Sequence, residues 1–205
     1  NINTWVQNRE GTAGLMSSKM RAFVDLMTRL RRQQQQSEEK APLKVVVFAN
    51  MTSTLRLALA AMTKGIPDYA ESRAVFVHGG IVSTHKREEL FTKFRIDPVV
   101  EVLFMTLKLG SIGLNLTEAD KVIFLEPWYS YSSLSQGESR VHRIGQIRDV
   151  DVFYLLAKDS AEERVYRIAQ NKKTMADDVM SGSSQDTKLG SDEMRFILMD
   201  SEETQ

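Results

Sequence analysis

Cysteine is absent from the 205 residues, which excludes disulfides and thiolate metal sites and fits an intracellular protein. Net charge is missing as well. The 27 basic and 27 acidic residues cancel, so no global field draws the chain onto nucleic acid, and any such contact must be local. No apolar run is long enough to span a bilayer, so no membrane partner is expected. The opening residues have no basic stretch followed by an apolar core, and no secretory signal is read there. The phosphate cradle G-x-x-x-x-G-K-[ST] occurs nowhere in the sequence, so nothing of that kind can grip β- and γ-phosphates with their Mg2+. No metal-ligand set is read in the chain. It begins with Asn1 rather than Met and is expected to be a fragment of a longer protein.

What remains is ordinary globular composition, 42% hydrophobic and 26% charged, and a length suited to one domain. Ser17 is a helix cap before Met20, Val24, Met27 and Leu30, which recur at helical spacing to about Arg32. Residues 33–40 are polar and low in complexity, and they read as a flexible linker. Short apolar runs follow at Val45 to Phe48, Ala74 to Val77, Val99 to Met105, Val122 to Leu125 and Val152 to Leu156. Such runs suit strands covered on both faces, as in a parallel sheet. Helical stretches at Thr52 to Lys64, Ser83 to Arg95 and Ser132 to Arg143 alternate with them. The fold expected is α/β, with a mainly parallel central sheet flanked by helices. Ser160 to Glu163 reads as a capping box for a last helix reaching Val179. In this division 1–16 is a lead-in, 17–180 the domain and 181–205 an acidic, mobile tail.

The helix before Gly145 carries the chemistry. At about 100° per residue, Gln136, Arg140 and Arg143 fall on one stripe, while Leu134, Val141 and Ile144 point in other directions. Neither arginine has an acid three or four residues away. Two guanidinium forks one turn apart match phosphate oxygens; the other possibility is that Glu126 or Glu138 pairs with them in the fold.

Gln136 to Gln146, QGESRVHRIGQ, resembles the last helicase motif of the SWI/SNF-like ATPases. Ser17-Ser18-Lys19-Met20 is similar to the start of that family's second lobe, and Lys44 to Thr52, KVVVFANMT, to the strand and loop that follow. Thr106 to Asp120, TLKLGSIGLNLTEAD, resembles a further family motif, and LEPW at Leu125 to Trp128 resembles the version in RING-bearing repair translocases. The resemblance covers about 17–179 and implies a RecA-like helicase C-terminal lobe. It implies that Arg140 and Arg143 are arginine fingers, oriented by Gln136, for an ATP whose phosphates and Mg2+ are held by a first lobe. Gly113 and Asn115 would approach the nucleotide sugar, and Thr106, Lys108 and Asn50 would touch the sugar-phosphate track. The implied partners are that first RecA-like lobe and duplex DNA, with nucleosomes as one candidate form, in the nucleus if the source is eukaryotic and otherwise inside the cell. On this resemblance the isolated chain is expected to be inactive.

Several positions depart from the family pattern. His78-Gly79-Gly80 replaces Asp-Gly-Ser, Leu109 and Ser111 add bulk to a loop expected against DNA, and Asn50 stands where glutamine is preferred. These departures leave open a non-catalytic interaction module that kept the fold. An RNA helicase lobe is the third reading, disfavoured by the Ile-Gly-Gln ending at Ile144 to Gln146.

Overall fold

A computed structural model of the protein describes residues 16–38, 41–81, 83–110, 115–128 and 131–178. Its elements are α1 (Ser18–Gln36), β1 (Val45–Ala49), α2 (Thr52–Gly65), β2 (Ala74–Val77), α3 (Thr84–Ile96), β3 (Val102–Thr106), α4 (Leu107–Gly110), β4 (Lys121–Phe124), α5 (Tyr131–Val141), β5 (Asp151–Tyr154) and α6 (Ala161–Asp178), with a 3-10 turn at Glu71–Arg73. All five strands are parallel, in the order β2-β3-β1-β4-β5. The expectation of a mainly parallel sheet is met in its strictest form.

The unbroken apolar runs have the cause inferred for them. β1 and β3 are buried at every residue, because successive side chains enter two separate cores. Val45, Val47 and Ala49 with Val102 and Phe104 face α1 and α2. Val46 and Phe48 with Leu103 and Met105 meet Phe91 and Phe94 of α3, Leu134 and Val141 of α5, and Ala169 of α6.

Element ends depart from the sequence pattern where local bonds decide them. α1 starts as expected, with Ser17 Oγ accepting from Met20 N at 3.3 Å, but continues through Gln36, four residues beyond Arg32. The first half of the expected linker is therefore helix. Glutamine propagates a helix well, and Gln34 Nε2 donates to the Ala41 carbonyl at 2.6 Å. The run at Val99 begins three residues before its strand: Val99 is exposed, and Val100 N closes a turn onto Asp97 O at 3.2 Å. At α6, Ser160 Oγ accepts from Glu162 N at 3.2 Å, while Glu163 accepts from Asp159 N at 3.2 Å rather than from Ser160 N. The capping box is thus offset by one residue. The expected end of this helix at Val179, residues 1–15 of the 1–16 lead-in and the tail at 181–205 lie outside the described residues.

Buried charge organises the sheet margins. The Lys44 ammonium donates to the carbonyls of Phe94 and Asp97, each at 2.6 Å, and of Val100 at 2.7 Å, gathering carbonyls from the last turn of α3 and from the turn that follows it. Burial pushes the Lys44 pKa below its ordinary value, against the opposing charges of Asp97, Glu118 and Glu101. Glu101 binds Arg73 at 2.7 Å and Arg31 at 3.2 Å, joining β2, β3 and α1. Lys19 of α1 pairs with Glu162 of α6, so the first and last described helices are tied together.

Candidate functional site

The fold sorts the residues singled out in the sequence into two groups. The first lies at the carboxyl edge of the sheet, where parallel α/β folds present their loops and bind ligands. Ala49 pairs with Thr106 across the β1–β3 ladder, which sets Asn50 beside the chain leading to Lys108. Lys108 is exposed and Asn50 half-buried. Thr106 is only 7% exposed, so of these three it presents least surface to a ligand. Glu126, at the end of β4, holds this edge together: its Oε2 accepts from Asn50 N at 2.9 Å and its Oε1 from Thr54 Oγ1 at 2.6 Å.

Two departures from the family pattern resolve here. Leu107 to Gly110 form a short helix in place of the expected loop, and Leu109 is 7% exposed within the core facing α5. Its added bulk fills the domain instead of the surface. Ser111 and Gly113 lie outside the described residues. His78 follows β2, and its Nδ1 accepts from Gly80 N at 3.1 Å, which makes it a turn-forming histidine. Trp128 packs partly buried against the same core, while Tyr129 and Ser130 are not described.

The second group gathers at the carboxyl end of α5. This helix connects parallel β4 to parallel β5, runs back against the strands for roughly 16 Å, and ends toward the opposite edge of the sheet. It can lie close because position 137 is glycine: a Cβ there would sit 3.2 Å from Phe124 Cζ and 3.4 Å from Phe48 Cε2. Gln136 is exposed and one turn from half-buried Arg140. The Arg140 carbonyl accepts from Leu116 N at 2.9 Å, which brings Arg140 to the loop holding exposed Asn115.

Arg143 does not share the helical stripe. α5 ends at Val141, and Arg143 N turns onto Val141 O at 3.1 Å. Four residues past the helix Gly145 takes φ +103°, a left-handed conformation open to glycine, which turns the chain away after α5. Arg143 is therefore exposed on a turn following the helix. The sequence pattern, which carried the helix through Arg143, missed this stop.

It also missed Gln146, which sets the turn. Gln146 Nε2 donates to Ala119 O at 2.6 Å, to Thr117 O at 3.1 Å and to Val141 O at 3.4 Å, and its Oε1 accepts from Arg148 N at 3.0 Å. Arg148 adds a bond to the Glu118 carbonyl. One side chain thus ties the arginine-bearing turn to the 115–120 loop. Nothing in the local spacing of a lone glutamine announces this. Of the two acids considered as arginine partners, Glu126 bonds Asn50 and Thr54, and Glu138 accepts from the Tyr154 hydroxyl.

Arg143 on an exposed, braced turn, Arg140 half-buried in the last turn of α5 and exposed Asn115 on the loop bonded to it are residue types suited to nucleotide phosphates. No group of three His, Cys, Asp or Glu among the described residues is placed to hold a metal ion.

Residues 18–145 match the helicase conserved C-terminal domain. The chain is 35% identical to the DNA repair protein rad8 of Schizosaccharomyces pombe over 67% of its own length and 12% of the relative's. It is 32% identical to the DNA repair protein rad5 of Neurospora crassa over 84% of its length and 13% of that relative's. It therefore spans only a small part of these proteins. Among solved structures, the C-terminal part of the Fun30 ATPase domain aligns with TM-score 0.66 and 26% identity, over 76% of this chain and 46% of that one. The Sulfolobus solfataricus SWI2/SNF2 ATPase core in complex with dsDNA aligns with TM-score 0.55 and 25% identity, over 83% of this chain and 35% of that one.

Proposed function

The chain belongs to the helicase conserved C-terminal domain family, as a RecA-like lobe of the SWI/SNF type, and from that premise we propose that it is the second lobe of an ATP-dependent duplex-DNA translocase or remodeller. Bound ATP supplies the phosphoanhydride to be cleaved. Arg140 and Arg143 face its γ-phosphate across the cleft and neutralise the charge that develops there. Gln136 and Asn115 line the same side, while Gln146 positions the turn. Mg2+ and the phosphate cradle belong to the first lobe.

Asn50, Lys108 and the rim of Thr106 form part of the DNA track, contacting phosphate and sugar without reading bases. Duplex DNA is favoured as the track because a related core is described in complex with dsDNA. Relatives named as DNA repair proteins support action in the nucleus when the source is eukaryotic.

One observation carries the reading: the Gln146 side chain ties the turn bearing Arg143, and the Leu116 N bond ties the Arg140 carbonyl, to the same 115–120 loop that holds Asn115. The test is ATP turnover by the two-lobed protein, alone and with duplex DNA or RNA. Duplex DNA should stimulate it strongly. Stimulation by RNA alone would make this an RNA helicase lobe, and absence of turnover would make it a non-catalytic interaction module. The 205-residue chain by itself should hydrolyse no ATP.

A further inference from the structure

Ile144 is 100% exposed and Ile147 94% exposed. Single exposed apolar residues are ordinary on protein surfaces, but these two flank the most firmly anchored residue of the turn. Gln146, between them in sequence, is held by three carbonyls and by Arg148 N. Gly145, with φ +103°, fixes the direction of the chain. The isoleucines are therefore presented by a braced turn, directly beside exposed Arg143.

We propose that Ile144 and Ile147 form an apolar latch that seats on the rest of the ATPase core when the two lobes close over nucleotide. The inference rests on Arg140 and Arg143 facing that nucleotide. Three observations select this occupant. The isoleucines continue the arginine-bearing surface, so whatever approaches Arg143 also approaches them. The chain covers only 35% of the SWI2/SNF2 core structure, which leaves most of such a core to supply the opposing face. On the border of the patch Arg143 is exposed, while the Arg148 guanidinium is turned onto the Glu118 carbonyl, so the exposed charge beside the isoleucines is the one the proposed function directs at nucleotide. Duplex DNA would offer isoleucine an outer surface of phosphates, where apolar burial gains little.

The experiment uses the two-lobed protein with a donor and acceptor dye on its lobes, read by energy transfer with a non-hydrolysable ATP analogue and duplex DNA. Burying one isoleucine shifts an equilibrium by roughly ten- to a hundredfold. Ile144→Ser with Ile147→Ser should lower the closed-to-open ratio by at least about tenfold and leave the melting temperature of the lobe unchanged. Leucine at both positions should restore closure, since it keeps the buried area. Unchanged closure in the double serine variant would overturn the latch, as would an early melt, which would place the isoleucines inside this lobe. A 205-residue chain that sediments as a dimer dissolved by the same pair of substitutions would also overturn it, making the patch a self-association face. The arginine reading is judged separately: normal turnover in Arg143→Ala refutes that reading, whereas normal closure in the serine variant with turnover lost in Arg143→Ala refutes only the latch.

Discussion

Gln146 donates through Nε2 to the carbonyl of Ala119 at 2.6 Å, joining a turn at the end of α5 to the loop that leads into β4. The bond crosses 27 residues of sequence and unites two segments that each carry part of the proposed nucleotide surface. Gln146→Ala removes donors from partly buried carbonyls, at a cost of about 1–3 kcal/mol. Turnover per folded molecule should fall with it, because Arg143 loses its brace. Melting temperature measured beside ATPase rate checks both parts. Normal turnover per folded molecule would reduce Gln146 to a stabilising residue.

Arg140→Ala and Arg143→Ala in the two-lobed protein should each lower turnover on the order of 10³-fold or more, with DNA binding nearly intact. Lysine should rescue poorly, since it keeps the charge but not the planar fork. The competing account ties the arginines to Glu126 or Glu138. A variant that melts early yet turns over normally once corrected for folded protein would favour it.

Lys108→Ala should weaken binding to every duplex sequence about equally and reduce the slope of log affinity against log salt by about one. Fluorescence titrations at several salt concentrations provide the slope. An unchanged slope would remove Lys108 from the track.

Stability should decline in alkali. Burial raises the Tyr69 pKa well above its ordinary 10.0, and nearby Glu101 adds to the rise. The unfolded chain therefore releases the proton first, and stability is lost as pH climbs above about 10. Lys121 acts in the same direction: burial would lower its pKa, but hydrogen bonds to Asp151 and Asp120 raise it overall, so its contribution is present below 10.5 and lost as pH passes the folded value. Lys44, lowered by burial, opposes them. Tyr69 Oη is buried with no hydrogen-bond partner among the described residues, so Tyr69→Phe should cost little at neutral pH and flatten the decline above pH 10. Chemical denaturation at a series of pH values from 7 to 11 tests this. An unaltered pH profile would show that Tyr69 does not set it.

The sequence by itself determined the parallel α/β architecture, because strands covered on both faces need unbroken apolar runs, and Val45 to Phe48 or Val102 to Met105 admit little else. It also picked out Arg140 and Arg143, through a motif dense enough to carry a family resemblance. Tertiary structure alone decided how those residues are presented. Periodicity drew Arg143 onto the helix, but α5 ends at Val141, Gly145 turns the chain beyond it and Gln146 reaches across the fold to hold the turn. Composition marked 33–40 as linker, yet Gln34 binds the Ala41 carbonyl and α1 runs to Gln36. The family pattern set Leu109 against DNA, and packing turned it into the core. Each difference has one cause. Short-range pattern reports which residues favour a helix or a strand, whereas hydrogen bonds and packing between distant segments fix where an element stops and which way its side chains face.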